Sequence, residues 1–317
     1  MVRIPVEQWC IAVPKREAEG KRQGLIRQGL LDRTLRPKPR GGLLLLPVLE
    51  ACEGAERCEF EPFPHRPALP RHELIGGIAV LQEEDYEGAE RLLASRPSLH
   101  TVLLSSGSVE GEFRTRRFQV LAGSPTTRTR VREYGFIFEI DLGLAYFSAR
   151  LATERQRILE QMEEGETVLD MFAGVGPFAI TLARKARIVV AADINPEAVR
   201  LLIANIGINR AGNVLPILAD AAHLDGIGLR PFDRIVMNLP LAATAFLETA
   251  FRLCRSGGHI HLYVLQEREG EILPVLERLP CKKVTERMVR TYSPGRWHAA
   301  YDIWVGEQDQ AGTNLVP

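Results

Sequence analysis

The chain has 317 residues, with 40 basic against 40 acidic side chains and therefore no net charge. That balance excludes a whole-molecule field for holding a polyanion, so any nucleic-acid contact must come from a local patch. The length suits two or three domains, and five scattered cysteines without a C-x-x-C pair exclude a disulfide framework or a zinc ribbon.

Those cysteines (Cys10, Cys52, Cys58, Cys254 and Cys281) read as reduced thiols of a cytoplasmic protein with no metal. No apolar run reaches membrane-spanning length, the leucines of 42–47 being far too few, and the N-terminus lacks the apolar core of a signal peptide. Residues 10–14 predict a strand, 15–31 a basic helix and 43–48 a second strand, which together make a small α/β domain over 1–60. Arg33, Arg36, Lys38 and Arg40 lie among prolines and read either as a solvated loop or as a phosphate contact. Four prolines within 61–70 cannot belong to a helix or a central strand, so 61–72 is expected to be a semi-rigid linker.

A middle α+β domain is predicted over 73–145, with strands at 78–81, 100–104 and 136–141 and a helix at 85–95. Arg114, Arg116, Arg117, Arg128, Arg130 and Arg132 put six guanidinium groups into 19 residues, with Phe113, Phe118 and Tyr134 among them. Arginine interleaved with aromatics suits phosphate contact and base stacking. It suits a strand with one solvated face equally well, and the stretch by itself leaves both readings open. Next, Ser148 is a candidate N-cap. Leu151, Glu154, Arg155 and Ile158 follow at helical spacing, which would place Arg150 and Glu154 on one face.

The stretch 166–195 organises the last domain. A strand at 167–171 stops at the glycine turn Ala173-Gly174-Val175-Gly176, a helix pattern follows, and a second strand at 188–192 ends on Asp193. This strand–turn–helix–strand–acid unit holds an adenosine cofactor at the carboxyl ends of a parallel sheet, the acid accepting from ribose hydroxyls. Pro177 removes an N–H that a pyrophosphate would use, and Asp170 and Asp220 add acids at two further strand ends. Cationic S-adenosylmethionine fits that charge better than a phosphate-bearing nicotinamide. Strands at 214–218 and 232–237 lead to Asp220 and to Asn238-Leu239-Pro240. The Asn238 amide offers a donor and an acceptor to a planar N–H/C=O edge, and Pro240 is expected to turn backbone carbonyls toward the pocket. Further on, 257–264 predicts a strand or hairpin and 292–305 one closing strand. His259 and His261, two apart, read as packing residues rather than metal ligands.

With these motifs assembled, the chain resembles the archaeal and eukaryotic tRNA guanine-37 N1-methyltransferase family in its three-domain archaeal form. The motifs are Gly111-Glu-Phe-Arg114, Tyr146-Phe-Ser-x-Arg-Leu-x-x-Glu-Arg155, Asp170-Met-Phe-Ala-Gly-Val-Gly-Pro-Phe178, Asp193-Ile-Asn-Pro196 and Met237-Asn-Leu-Pro240. The resemblance implies a class I (Rossmann-like) methyltransferase domain over 146–317, a middle RNA-binding domain, and an N-terminal module that meets the outer corner of tRNA. It implies Glu154 as general base for guanine N1, Arg114 as the O6 partner and Asn238 as the residue orienting the base edge. Tyr146, Phe147, Arg155, Asp170, Phe172, Ala173, Gly174, Val175, Gly176, Asp193, Ile194, Asn195, Asp220, Ala221, Asn238 and Pro240 would hold the cofactor. Arg114, Arg116, Arg128, Tyr146 and Arg150 would meet the RNA, in a monomer gripping the anticodon loop.

Three positions depart from the family pattern: Ala149 stands where a proline is usual, Leu241 stands where a lysine is common, and 293–298 resembles the aminocarboxypropyl-transferring branch of wybutosine synthesis. That transferase and a non-catalytic RNA-binding protein with a cofactor fold are the competing expectations.

Overall fold

The computed structural model describes residues 5–63, 69–110, 115–228 and 231–307, without the side chains of 106–110, 115, 116 and 227. It divides into two compact units, Met1–Ala68 and Leu69–Pro317. The division falls inside the proline-rich segment.

The first unit holds β1 (Val6–Pro14), α1 (Ala18–Arg27), β2 (Lys38–Arg40), β3 (Leu43–Val48) and β4 (Ala55–Phe60), its antiparallel sheet running β2-β3-β1-β4. Strand alternation splits the leucines of β3: Leu46 packs with Val13 and Leu25 on one face, Leu45 with Cys10 and Phe60 on the other. The helix is shorter than the 15–31 predicted, because Gly29 adopts φ +69° just beyond its C-cap. Cys10, Glu56 and Cys58 bring possible ligand atoms within 4.8 Å of one another, yet Arg40 pairs with Glu56, and burial and Cys58 push the Cys10 thiol up to about 12.

The second unit begins with β5 (His72–Ile75), β6 (Ile78–Leu81), α2 (Tyr86–Ser95), β7 (Thr101–Glu110) and β8 (Thr115–Gly123), in sheet order β5-β6-β7-β8. Helix α2 starts where Asp85 accepts the Gly88 N–H at 2.7 Å. The hairpin of β9 (Arg128–Glu133) and β10 (Phe136–Asp141) turns at Tyr134 and Gly135, both at positive φ, as a tight hairpin requires. Its β10 edge is paired by side chains rather than by a strand. Asn209 accepts the Ile137 N–H at 2.9 Å and donates to the Ile137 carbonyl at 2.7 Å. Asn205 does the same for Glu139 at 2.7 and 2.9 Å.

After a 3₁₀ turn at Ala149–Leu151 and α3 (Ala152–Gln161) comes the main sheet. Its elements are β11 (Thr167–Asp170), α4 (Pro177–Leu182), β12 (Ile188–Asp193), α5 (Pro196–Asn209), β13 (Val214–Leu218), β14 (Phe232–Met237), α6 (Leu247–Leu253), β15 (Cys254–Gln266), α7 (Leu273–Leu276), β16 (Cys281–Ser293) and β17 (Arg296–Val305). The sheet order is β13-β12-β11-β14-β15-β17-β16; the first five strands are parallel and β17 is antiparallel to both its neighbours, β15 and β16. Val168, Leu169, Val189, Val190 and Ile235 are buried on both faces, as the continuous apolar runs of a helix-covered parallel sheet require. The order reverses between β11 and β14, so a crevice opens at their carboxyl ends.

The single closing strand expected over 292–305 is instead the end of β16, a turn with Gly295 at φ +74°, and β17. The alternating pattern runs through both strands and conceals the reversal.

Candidate active site

Four strand ends and one covering turn enclose a cavity of about 340 Å³ at the switch point. The glycine turn forms its floor. Gly174 at φ +54° donates its N–H to the Asp193 carboxylate at 2.7 Å, and Gly176 at φ +93° caps α4 with Pro177 as first helical residue. A Cβ on Gly176 would come within 2.3 Å of the Leu202 side chain, so the turn lies tight against α5. Asp193 also accepts the Asn195 N–H at 2.9 Å, and Asn195 accepts the Glu197 N–H to cap α5. Burial raises the Asp193 carboxyl above its ordinary range. Asp220 caps the following 3₁₀ turn by accepting the Ala222 N–H at 2.9 Å.

Of the residues expected around a cofactor, Tyr146, Phe147, Arg155, Phe172, Ala173, Gly174, Asp193, Ile194, Asn195, Asp220, Ala221 and Asn238 line this cavity. Asp170, Val175, Gly176 and Pro240 do not. Val175 is a core side chain whose carbonyl accepts from Asn205 at 2.9 Å. The carbonyls expected to face the pocket after Asn238 are used elsewhere: that of Pro240 accepts from Leu265, and that of Leu239 from Ala242 and Ala243. Leu151, Met171, Phe178, Ala198, Leu239 and Phe246 line the cavity without having been expected at the cofactor site, four of them lying in sequence patterns read for other reasons, for apolar walls carry no signature there.

Two buried acceptors have no hydrogen-bond partner among the described residues: Oδ1 of Asn238, which lines the cavity, and Oδ2 of Asp170, which ends β11 without lining it. Burial, with the charge of Asp193 adding to it, pushes the Asp170 carboxyl up to about 7. Unpaired buried acceptors are costly, and this pair suits a cationic, donor-bearing ligand such as the sulfonium and ammonium groups of S-adenosylmethionine. Arg155 reaches the cavity wall but is bound bidentately to Glu133 at 2.6 Å in both contacts, with Phe147 and Phe178 against its guanidinium.

Glu154 is buried and lines neither this cavity nor the neighbouring one. Its carboxylate accepts from Arg157 at 3.0 Å and from Tyr263 at 3.1 Å, and pairs with Arg287 at 2.8 Å. Burial raises the Tyr263 hydroxyl well above its ordinary value, so it remains a donor. Arg157 also binds Asp302, which accepts from His261 Nδ1 at 2.6 Å, while Arg234 donates to His261 Nε2 at 2.6 Å. The expected pairing face of Arg150 and Glu154 does not form. Ser148 makes no cap and the helix starts only at Ala152, so Arg150 sits in the 3₁₀ turn and pairs with Glu73 at 3.0 Å. His261 is a hydrogen-bonded member of a buried polar chain rather than plain packing, and burial lowers it to about 4.

A second cavity of about 260 Å³ lies behind Tyr146, Phe147 and Ser148, which line both. Arg150, Phe118, Leu241, Arg290, Tyr292 and His298 contribute to its wall. Arg128 is exposed, 3.6 Å from Asp141, and Arg130 pairs with Glu139. Arg114 and the side chain of Arg116 lie outside the described residues.

The sheet order, glycine turn and acid-edged cavity define a Rossmann-like transferase for an adenosine-bearing cofactor. The TRM5/TYW2 methyltransferase domain model matches residues 129–290, and the tRNA methyltransferase 5 N-terminal domain model matches 10–56. The chain therefore belongs to the TRM5/TYW2 methyltransferase family. A tRNA (guanine(37)-N(1))-methyltransferase Trm5b from Pyrococcus abyssi is 36% identical, over 93% of this chain and 98% of the relative. The crystal structure of wild-type Trm5b from that organism has a TM-score of 0.76 and 35% identity, covering 95% of this chain and all of the other. The complex of aTrm5 and tRNALeu has a TM-score of 0.74 at 28% identity, over 94% and 99% of the two chains. A tRNA(Phe) (4-demethylwyosine(37)-C(7)) aminocarboxypropyltransferase from Methanocaldococcus jannaschii is 32% identical, over 73% of this chain and 96% of the relative.

Proposed function

We propose that the protein transfers a methyl group from S-adenosylmethionine to N1 of guanosine 37 of tRNA, next to the anticodon, and works as a monomer. The observation that carries this reading is the acid-edged cavity lined by Asp193, Asp220 and Asn238, whose Oδ1 is buried without a hydrogen-bond partner among the described residues. The P. abyssi likeness runs over both units, which favours methyl transfer over the aminocarboxypropyl reading.

S-adenosylmethionine, when bound, supplies an electrophilic methyl group. Asp193 and Asp220 would accept from its ribose and adenine, and the buried charge of Asp170 at the end of β11 would favour its cationic end. Asn238 presents its amide to the guanine edge. Guanine N1 is protonated at neutral pH, so the transfer needs a proton acceptor and a partner for O6. Arg114 is the proposed O6 partner. Glu154 is the proposed proton acceptor, becoming available once Arg287, the more exposed of its two guanidinium partners, turns away. A base stacked in a loop must be extruded to reach the cavity.

Labelled cofactor should mark a transcript carrying G37 and leave a G37→A transcript unmarked, with a product heavier by one methyl group. Equal labelling of both transcripts would overturn the assigned target, and an aminocarboxypropyl mass would overturn the reaction.

A further inference from the structure

The second cavity holds a donor set that the reaction itself does not use. Its Arg290 has a buried Nε with no hydrogen-bond partner among the described residues. Its other lining guanidinium, Arg150, is neutralised by Glu73. Beside Arg290 on the same edge strand, Tyr292 is 55% exposed, and its ring stacks on His298 at 5.6 Å and 26°. An aromatic ring backed on one face and accessible to solvent, next to an uncompensated guanidinium, is the donor set for one unpaired nucleotide: the ring takes the base, the cation its phosphate. Tyr146, Phe147 and Ser148 line both cavities, so a base stacked on Tyr292 adjoins the cofactor cavity and suits a neighbour of the methylated nucleotide.

Building on the functional reading above, we propose that this cavity seats a nucleotide adjacent in sequence to the methylated guanosine, its base on Tyr292 and its phosphate on Arg290. The hairpin of β16 and β17 is thereby part of the RNA site, and the segment 293–298 contains its turn.

The test uses the full chain and tRNA transcripts that are intact or abasic at position 36 or at position 38. Tyr292→Ala should raise KM for the intact transcript about tenfold, within the range for losing one base stack, with kcat within about twofold. Tyr292→Phe should restore KM. The effect of Tyr292→Ala should vanish on one of the two abasic transcripts. Arg290→Gln should weaken binding and reduce the slope of log K against log salt by about one, as loss of one phosphate contact does. An unchanged KM in Tyr292→Ala, or a loss equal on all three transcripts, would sink this inference. A wild-type protein inactive on every transcript would sink the functional reading instead.

Discussion

Asp170 is the residue at which burial and ligand charge oppose each other most directly. Burial, with the charge of Asp193, pushes its carboxyl up to about 7, and a cation bound nearby would reverse that preference. Below pH 7 the cation must expel a proton, so affinity for S-adenosylmethionine should climb by up to about tenfold per pH unit toward 7 and level off above it. In the free protein the sign is the reverse of an ordinary carboxylate. With the folded value above the unfolded one, the contribution of Asp170 to stability is present below about 3.8 and lost as pH rises through 7. Calorimetric titrations from pH 5.5 to 8 measure the binding slope, and Asp170→Asn should flatten it; a slope that survives this substitution would remove Asp170 from the cofactor site. Glu154 poses a different question, since its three partners also give it a structural part. Glu154→Gln should lower kcat by about 100-fold or more, the usual loss for a general base, and leave the Kd for cofactor within about twofold. A lower melting temperature with unchanged kcat would make Glu154 a structural residue only.

At the scale of elements, α5 does the work of a missing strand. Asn205 and Asn209, four apart on one face, each satisfy both backbone groups of a residue in β10, and Asn205 also donates to the Val175 carbonyl of the glycine turn. Asn205→Leu strands several buried backbone groups at roughly 1–3 kcal/mol each, so chemical denaturation should show a loss of about 2–4 kcal/mol. Because the same amide holds the glycine turn, cofactor affinity should fall as well. A loss below about 0.5 kcal/mol would mean the hairpin holds without these bonds.

This anchor was not legible in the sequence, because an asparagine on an amphipathic helix names no partner 66 residues away. The same limit hid the Arg155–Glu133 and Arg287–Glu154 pairs. The bounds of β13 and β14 were legible as apolar-rich runs closed by an acid or an asparagine, although Leu215 and Leu218 are exposed on the edge strand β13 and Asp233 and Arg234 interrupt the apolar run of β14. The positions of Asp193 and Asp220 at or just past strand ends were legible in the sequence, and both line the cavity, whereas Asp170 at the end of β11 does not. The partition between the two cavities, made by Tyr146–Ser148, was not legible. It depends on a 3₁₀ turn that delays α3 and on a hairpin more than 130 residues later.

On the scale of the whole molecule, the chain divides at Ala68 into two compact units. Every residue lining the cofactor cavity lies between Tyr146 and Phe246, and the sheet carrying them is complete within the second unit. With no net charge overall, RNA affinity must be assembled from separate local contacts, and removing one set subtracts its share without disturbing the rest. A chain of residues 69–317 should therefore bind S-adenosylmethionine with a Kd within about twofold of the full chain. It should still methylate a short anticodon stem-loop as the full chain does, while losing the full chain's preference for intact tRNA over that stem-loop. Competition between the two RNAs at equal concentration measures the preference directly. If 69–317 kept the preference, recognition of the tRNA body would belong to the second unit; if it lost cofactor binding while remaining folded by circular dichroism, the cofactor site would not be self-contained.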